Sequence, residues 1–254
     1  MKKIYLAALT LAMTACVSND DLNPVDNYGY IDVNVSNDPV MVTRAENINP
    51  SNWIIKANDI DLNTVGYKVE KGDYTVTAQS HSSEDDALIQ NDGWGEPFYS
   101  GSTANNEEED KKKVTVSPGN TANAEVPCGK AKNGRVKVSF SLASNFTDYS
   151  VAVGTTDRFR NFSSETKDKL AYFKPGNINY TFSYKYNETD VNTPVTGSIT
   201  VVEGTEHEIK ISSNDNGTIK VTITYDDTFN DGDDVELTFD AATGKKVETT
   251  LEGN

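Results

Sequence analysis

The residue whose chemistry the sequence places first is Cys16. It closes the run Leu11-Ala12-Met13-Thr14-Ala15-Cys16, behind Met1-Lys2-Lys3 and an uncharged stretch from Ile4 to Ala15. A basic start, a short apolar run and small residues before a break point together make a secretion signal. The run is too short to stay in a bilayer, where a spanning helix needs about 20 apolar residues. A cysteine directly after the small residues gives the signal the order of a lipobox. Its thiolate is the side-chain nucleophile suited to take a diacylglycerol group as a thioether, and cleavage before it leaves Cys16 as a modified first residue. Met13 stands where Leu is commoner. The competing readings are an ordinary cleaved secretory signal and a cytosolic chain with an apolar start. Two or three acyl chains hold a protein on a membrane durably, whereas one binds marginally. A lipidated Cys16 is therefore an anchor, and the membrane is the first expected partner.

Few other residues group into a reactive set. With Cys16 lipidated, Cys128 has no cysteine partner for a disulfide. The alternation Ala124-Glu125-Val126-Pro127 points Cys128 inward, as a small apolar residue and not a nucleophile. His81 and His207 are the two histidines and stand far apart in sequence. A triad is defined by geometry and not by order, but no nucleophile elbow, phosphate loop or His-x-x-x-His pair accompanies them. The expectation is no enzyme, no catalytic residue, no metal and no cofactor. The acidic run Asp226-Asp227-Thr228-Phe229-Asn230-Asp231-Gly232-Asp233-Asp234 offers hard oxygen ligands of the kind calcium prefers. Placing Gly232 at the sixth position of a calcium loop puts Phe229 at the third and Thr238 at the twelfth, so the EF-hand template fails. A hairpin turn with solvated acids is expected there, with a non-EF calcium site as the alternative. The same choice applies to Glu84-Asp85-Asp86.

Aromatic residues are the better lead for binding. Trp94, Phe98 and Tyr99 share a Gly-rich loop between Asp92 and Gly101. Aromatic faces stack on the axial hydrogens of sugars, so an exposed set would make a glycan platform. Core packing is nevertheless the use expected first, since an aromatic ring in a small sandwich normally buries area. Asn-x-Ser/Thr sequons begin at Asn145, Asn161, Asn179, Asn187 and Asn216, among others. Behind a lipobox, Asn in turns accounts for them.

The elements that must position these residues are strands. Period-two alternation recurs at Ile31, Val33 and Val35, at Tyr74, Val76 and Ala78, and at Val114 and Val116. After Cys128 it strengthens, through Val136 to Leu142, Val151 and Val153, Tyr180 to Tyr186, Ile199 and Val201, Ile209 and Ile211, Ile219 to Tyr225, and Val235 to Phe239. One apolar face per strand is what an antiparallel sheet packed on one side produces, and many such strands separated by Asn, Asp and Gly turns predict sandwiches. The one helical candidate is Ser163 to Leu170. The fold class predicted is all-β, with two tandem antiparallel β-sandwich domains of immunoglobulin-like or transthyretin-like type. The boundaries are a signal at 1–15, lipidated Cys16 with a flexible tether at 16–27, an N-terminal sandwich at 28–128 and a C-terminal sandwich at 129–254. The polar, Gly-bracketed run Gly129-Lys130-Ala131-Lys132-Asn133-Gly134 separates the two. Glu107 to Lys113 reads as a solvated charged tip. The formal charge of −16 argues against nucleic acid and anionic lipid surfaces, which need a basic patch.

Three stretches resemble a family of Bacteroidota lipoproteins of unknown function. Val69-Glu70-Lys71-Gly72-Asp73-Tyr74-Thr75-Val76-Thr77-Ala78 is similar to its Gly-x-Tyr-Thr-x-x-Ala strand start, also seen in transthyretin-like modules. Trp94-Gly95-Glu96-Pro97-Phe98-Tyr99-Ser100-Gly101 resembles its aromatic-Pro-Tyr-x-Gly segment, and Cys128 followed by Arg135-Val136-Lys137-Val138-Ser139-Phe140 its Cys then Val-x-Val-x-Phe junction. The acidic residues Asp20 and Asp21 after Cys16 resemble a signal for export to the outer face of the outer membrane. The resemblance implies tandem sandwiches on the cell surface and carries over no catalytic residue. The function expected is non-enzymatic display by an outer-membrane lipoprotein, structural or adhesive in the style of fimbrial accessory proteins, toward a protein or glycan partner. The alternative is a carbohydrate-binding lipoprotein of a glycan-uptake system that uses the loop around Trp94.

Overall fold

Alternating burial runs through nearly every element of the computed structural model, which describes residues 27–36, 53–89, 93–129, 131–226 and 235–247. Cys16 and its signal lie outside the described residues, as do 227–234 of the acidic run. The first half contains β1 (Tyr28–Ser36), β2 (Ile54–Ala57), β3 (Ile60–Asp61), the one-turn helix α1 (Leu62–Val65), β4 (Lys68–Glu70), β5 (Gly72–Tyr74), β6 (Val76–Gln79), α2 (Glu84–Ala87), β7 (Ser100–Ser102), β8 (Val114–Val116) and β9 (Thr121–Pro127). The second half contains β10 (Gly134–Ser141), β11 (Phe146–Gly154), β12 (Phe159–Phe162), β13 (Ala171–Phe173), β14 (Gly176–Tyr186), β15 (Thr189–Asp190), β16 (Val195–Val201), β17 (Glu206–Ser213), β18 (Thr218–Asp226) and β19 (Val235–Asp240). The protein is all-β and built as sandwiches, as the alternation predicts.

In the first half the sheet β4-β1-β9 packs against β3-β2-β6-β7 and the pair β5-β8. Ile31, Val69, Ala124 and Val126 meet Ile55, Ala57, Val76, Ala78, Val114 and Val116 in one core, with Trp53 buried among them. In the second half the sheet β13-β10-β17-β18-β19 faces β12-β11-β14, whose far flank carries β15 and β16. β14 shows the pattern best: Ile178, Tyr180, Phe182 and Tyr184 are buried and alternate with residues that face outward or stay half-covered. Burying Ile178 or Phe182 stabilises by about 1.5–3 kcal/mol each. Gly197 stands opposite Tyr180 in the β14–β16 register. A Cβ there would fall 2.3 Å from the Tyr180 hydroxyl, so only glycine leaves room for the ring.

Three features differ from the sequence expectation. The sheets are not wholly antiparallel: β1 pairs parallel with β9, and β10 pairs parallel with β17. Alternation reports that one face of a strand is buried and is silent about the direction of its neighbour. Second, Ser163 to Leu170 forms successive turns, closed by Thr166 N–H to Ser163 O and Lys169 N–H to Thr166 O, and not a helix. The Ser163 hydroxyl accepts from Glu165 N–H, giving the backbone a local alternative to helical bonding. Third, the two α-helices among the described residues lie elsewhere. Asp61 caps α1 by accepting from Asn63 and Thr64 N–H, and Ser83 caps α2 by accepting from Asp86 N–H. The charged tip matches its reading, with Lys111 held between Glu108 at 3.0 Å and Glu125 at 3.1 Å on the surface.

Candidate functional site at the junction of the halves

Trp94, Phe98 and Tyr99 do not form an exposed platform. Phe98 and Tyr99 are buried at 7% and 9% exposure, and the half-buried Trp94 packs edge-on against Phe162 of β12 with ring centroids 4.9 Å apart. Tyr99 turns its ring toward Trp53 in the first core, at 6.4 Å, whereas Trp94 belongs to the second core. The sequence places the three rings in one loop, but the chain between them crosses from one sandwich to the other. That geometry leaves no shared stacking face, because two of the three rings are buried and have little surface to offer a sugar.

What the loop makes instead is a strap. Ile89, from the first half of the sequence, is 1% exposed and sits within the core of the second half. Its N–H donates to Tyr172 O, and Tyr172 N–H donates back to Trp94 O, so the strap runs along the open edge of β13. The Arg160 guanidinium donates to Gly93 O through Nε at 2.6 Å and through a second nitrogen. Gly95 holds a left-handed φ of +81°, and a Cβ there would meet Ala87 O at 2.7 Å, where Glu96 N–H closes the turn. Asn133, fully buried, fixes the other end: its Oδ1 accepts from Phe98 N–H at 3.0 Å, its Nδ2 donates to Glu96 O at 2.8 Å, and its own carbonyl accepts from Gly204 N–H. Lys132 N–H donates to Phe98 O, and Lys132 Nζ pairs with Glu203 at 2.8 Å.

Beside the strap lies a cavity of about 330 Å³ lined by Asp85, Leu88, Ile89, Arg158, Tyr172 and Lys174 among others. Asp85 bridges the halves from its rim, with Lys174 at 2.9 Å and Arg158 at 3.2 Å. The hydrogen bond and charge of Lys174, helped by Arg158, hold its carboxyl below the usual range. This answers the ambiguity at Glu84-Asp85-Asp86 with an ion pair across the junction and a capped turn. Among the described residues no group of three His, Cys, Asp or Glu side chains is placed to hold a metal.

The remaining candidates are separate. Cys128 is 1% exposed with Sγ 3.8 Å from Ala78 O, and burial pushes its thiol up to about 12. His207 is fully buried in β17 and its Nε2 accepts Val202 N–H at 2.9 Å, so the neutral ring carries its proton on Nδ1. Burial lowers its pKa to about 4. His81 forms a relay that the sequence did not single out, with Nδ1 2.9 Å from Ser80 Oγ and Nε2 3.2 Å from Glu96. The Ser80 oxygen also accepts Tyr99 N–H at 3.0 Å, which ties it to the strand, and Glu96 is largely solvated. The relay holds the strap's solvent side. Sequence reading also passed over Tyr28 and Tyr30, 40% and 46% exposed on the outer face of β1, with Lys68 Nζ 4.9 Å above the Tyr28 ring. Their i, i+2 spacing around buried Gly29 was the available signal.

Fold and site together define a tandem β-sandwich protein whose two halves are joined by an internal strap. The chain belongs to the family described as a domain of unknown function, DUF4493, whose profile matches residues 47–240 and so takes in strands of both halves. None of the curated proteins matches it. Similar solved structures come from Bacteroides and are named as candidate cell adhesion proteins. The one from Bacteroides ovatus is 10% identical, with 79% of this chain and 96% of that chain covered and a TM-score of 0.39. One from Bacteroides eggerthii is 10% identical, covering 62% and 80% at a TM-score of 0.36. One from Bacteroides thetaiotaomicron is 11% identical, covering 72% and 92% at a TM-score of 0.34. No helix among the described residues is long and apolar enough to cross a membrane.

Proposed function

We propose that this protein is a lipid-anchored, cell-surface protein of the outer membrane that displays two β-sandwich domains, 28–128 and 129–254, to a protein partner without performing chemistry of its own. The observation that supports it is the strap: a segment of the first sandwich supplies Ile89 to the core of the second, so a partner meets both as one rigid body. Rigid spacing is what a display protein needs, because loops on a fixed scaffold lose less entropy on binding. The lipid at Cys16 sets the orientation, and the tether 17–27 sets the reach. Two cell-surface experiments test this. Palmitate is incorporated by the wild-type chain and not by Cys16→Ala, and equal labelling would remove the anchor. Cells displaying the chain adhere to protein-coated surfaces better than cells lacking it or carrying Cys16→Ala, and equal adherence by all three would remove the adhesive role. A fluorophosphonate probe leaves the full chain unlabelled. Labelling at Ser80 would make the Ser80–His81–Glu96 relay a nucleophile and the protein an enzyme.

A further inference from the structure

The first sandwich is threaded so that tension along the chain meets its longest parallel ladder end-on. β1 enters the sheet at Tyr28 and runs parallel to β9, in register from Tyr30 with Thr121 to Ser36 with Pro127. The ladder is extended at both ends, by Gly119 N–H to Tyr28 O and Tyr30 N–H to Asn120 O at one, and by Cys128 N–H to Ser36 O at 3.0 Å at the other. On its other flank β1 pairs antiparallel with β4, Tyr28 to Tyr30 against Glu70 to Lys68, and Ile31 N–H donates to Tyr67 O. Beneath the ladder, Ile31 and Val126 are buried at 2% and 0%, with Ala124 between them at 1%. β9 is also the strand that leads out of this half, through Cys128, to the junction and the second sandwich.

We infer that the first sandwich is a load-bearing module in which the β1–β9 ladder carries the tension between the membrane anchor and whatever the second half holds. Because the strands are parallel, the chain comes in at one end of the ladder and leaves at the other, about 23 Å away for seven residues. A pull between these points slides β1 along β9, so every bond of the ladder and the apolar contacts beneath it must yield together. An antiparallel hairpin threaded from one end would instead open bond by bond. The lifetime of a fold under force is set by its unfolding rate and not by its equilibrium stability, so threading alone separates the two cases at equal stability. The inference rests on the anchored-display reading for the origin of the load, while the ladder's resistance is a property of the fold alone.

The test is single-molecule pulling on the full chain in a Cys16→Ala background, with thiol handles placed to load the same ladder in two directions. Handles at Asn27→Cys and Gly129→Cys pull in shear. Handles at Asn27→Cys and Asn120→Cys sit at the same end of the two parallel strands and peel them apart. Glu125→Cys, exposed near the end of β9, serves as a second shear handle should Gly129→Cys not fold. The shear pair ruptures at severalfold higher force than the peel pair at the same loading rate, although both chains unfold at the same urea concentration. Equal rupture forces in the two directions would overturn the inference. Negative palmitate labelling would remove the anchor and leave that force ratio unchanged, so the two failures are distinguishable.

Discussion

His207 shows how a single buried ring sets a pH dependence. Its imidazole is dry and neutral, with a folded pKa of about 4 against 6.5 in the open chain. Above pH 6.5 both states are neutral and His207 costs nothing. As the pH falls from 6.5 toward 4 the unfolded state takes up a proton that the fold refuses, and stability declines by a total of roughly 3 kcal/mol before the folded ring also titrates. Two carboxylates act lower down: Asp85, beside Lys174 and Arg158, and Asp240, which accepts from the Thr243 hydroxyl and N–H, have depressed pKa values, so their contribution is present at neutral pH and fades as the pH falls below about 4. Urea denaturation across this range should show wild type losing stability between pH 6.5 and 4 while His207→Gln stays flatter. Parallel curves would mean that His207 is not the titrating group. Cys128 makes a simpler case. With its thiol near 12 and fully covered, the Cys16→Ala chain should give no reaction with a disulfide reagent at pH 8 until urea unfolds it. At this scale the sequence was informative where a residue sat in regular alternation, as Cys128 does after Val126. It was less informative at Trp94, Phe98 and Tyr99, because a Gly-rich loop carries no period from which to read which core each ring enters.

At the scale of elements the strap decides how the sandwiches communicate. Asn133 satisfies the backbone of Glu96 and Phe98 from a buried site, so Asn133→Ala leaves the buried Phe98 N–H and the part-buried Glu96 carbonyl without their partner. That loss should cost about 2–4 kcal/mol. Ile89→Ala removes a side chain from the second core and should cost a similar amount, about 2–4 kcal/mol. The informative readout is hydrogen exchange at the Tyr172 amide, which donates to Trp94 O. Both variants should speed its exchange well before the strands of the first sandwich respond, and protection unchanged in Ile89→Ala would mean that the strap is decoration. Strand positions were legible in the sequence because a two-residue period survives any topology. The parallel pairing of β1 with β9 and of β10 with β17 was not, since partner choice is settled by contacts distant in sequence. The strap was hidden for a further reason: it pairs with β13 through backbone groups, which leave no trace in the pattern of side chains.

For the whole molecule the question is whether two cores unfold as one. Each half has its own apolar cluster, and among the described residues no sheet takes strands from both. Strand pairing alone therefore describes two independent domains, of the kind a polar linker at 129–134 suggests. The junction argues the other way. Ile89 and Trp94 contribute first-half side chains to the second core, Asn133 is locked between the two, and Asp85 is paired across the gap with Lys174 and Arg158. Opening this interface costs buried apolar area and several unsatisfied backbone groups, which is more than a marginal domain contact supplies. The full chain should accordingly melt in a single transition whose calorimetric and van't Hoff enthalpies agree. The double variant Ile89→Ala with Asn133→Ala should split it into two, the second sandwich melting first because it alone loses core volume. Two separate transitions in wild type would show that the strap does not couple the halves. A partner would then meet two loosely linked domains, and tension would reach the first sandwich through the covalent linker alone.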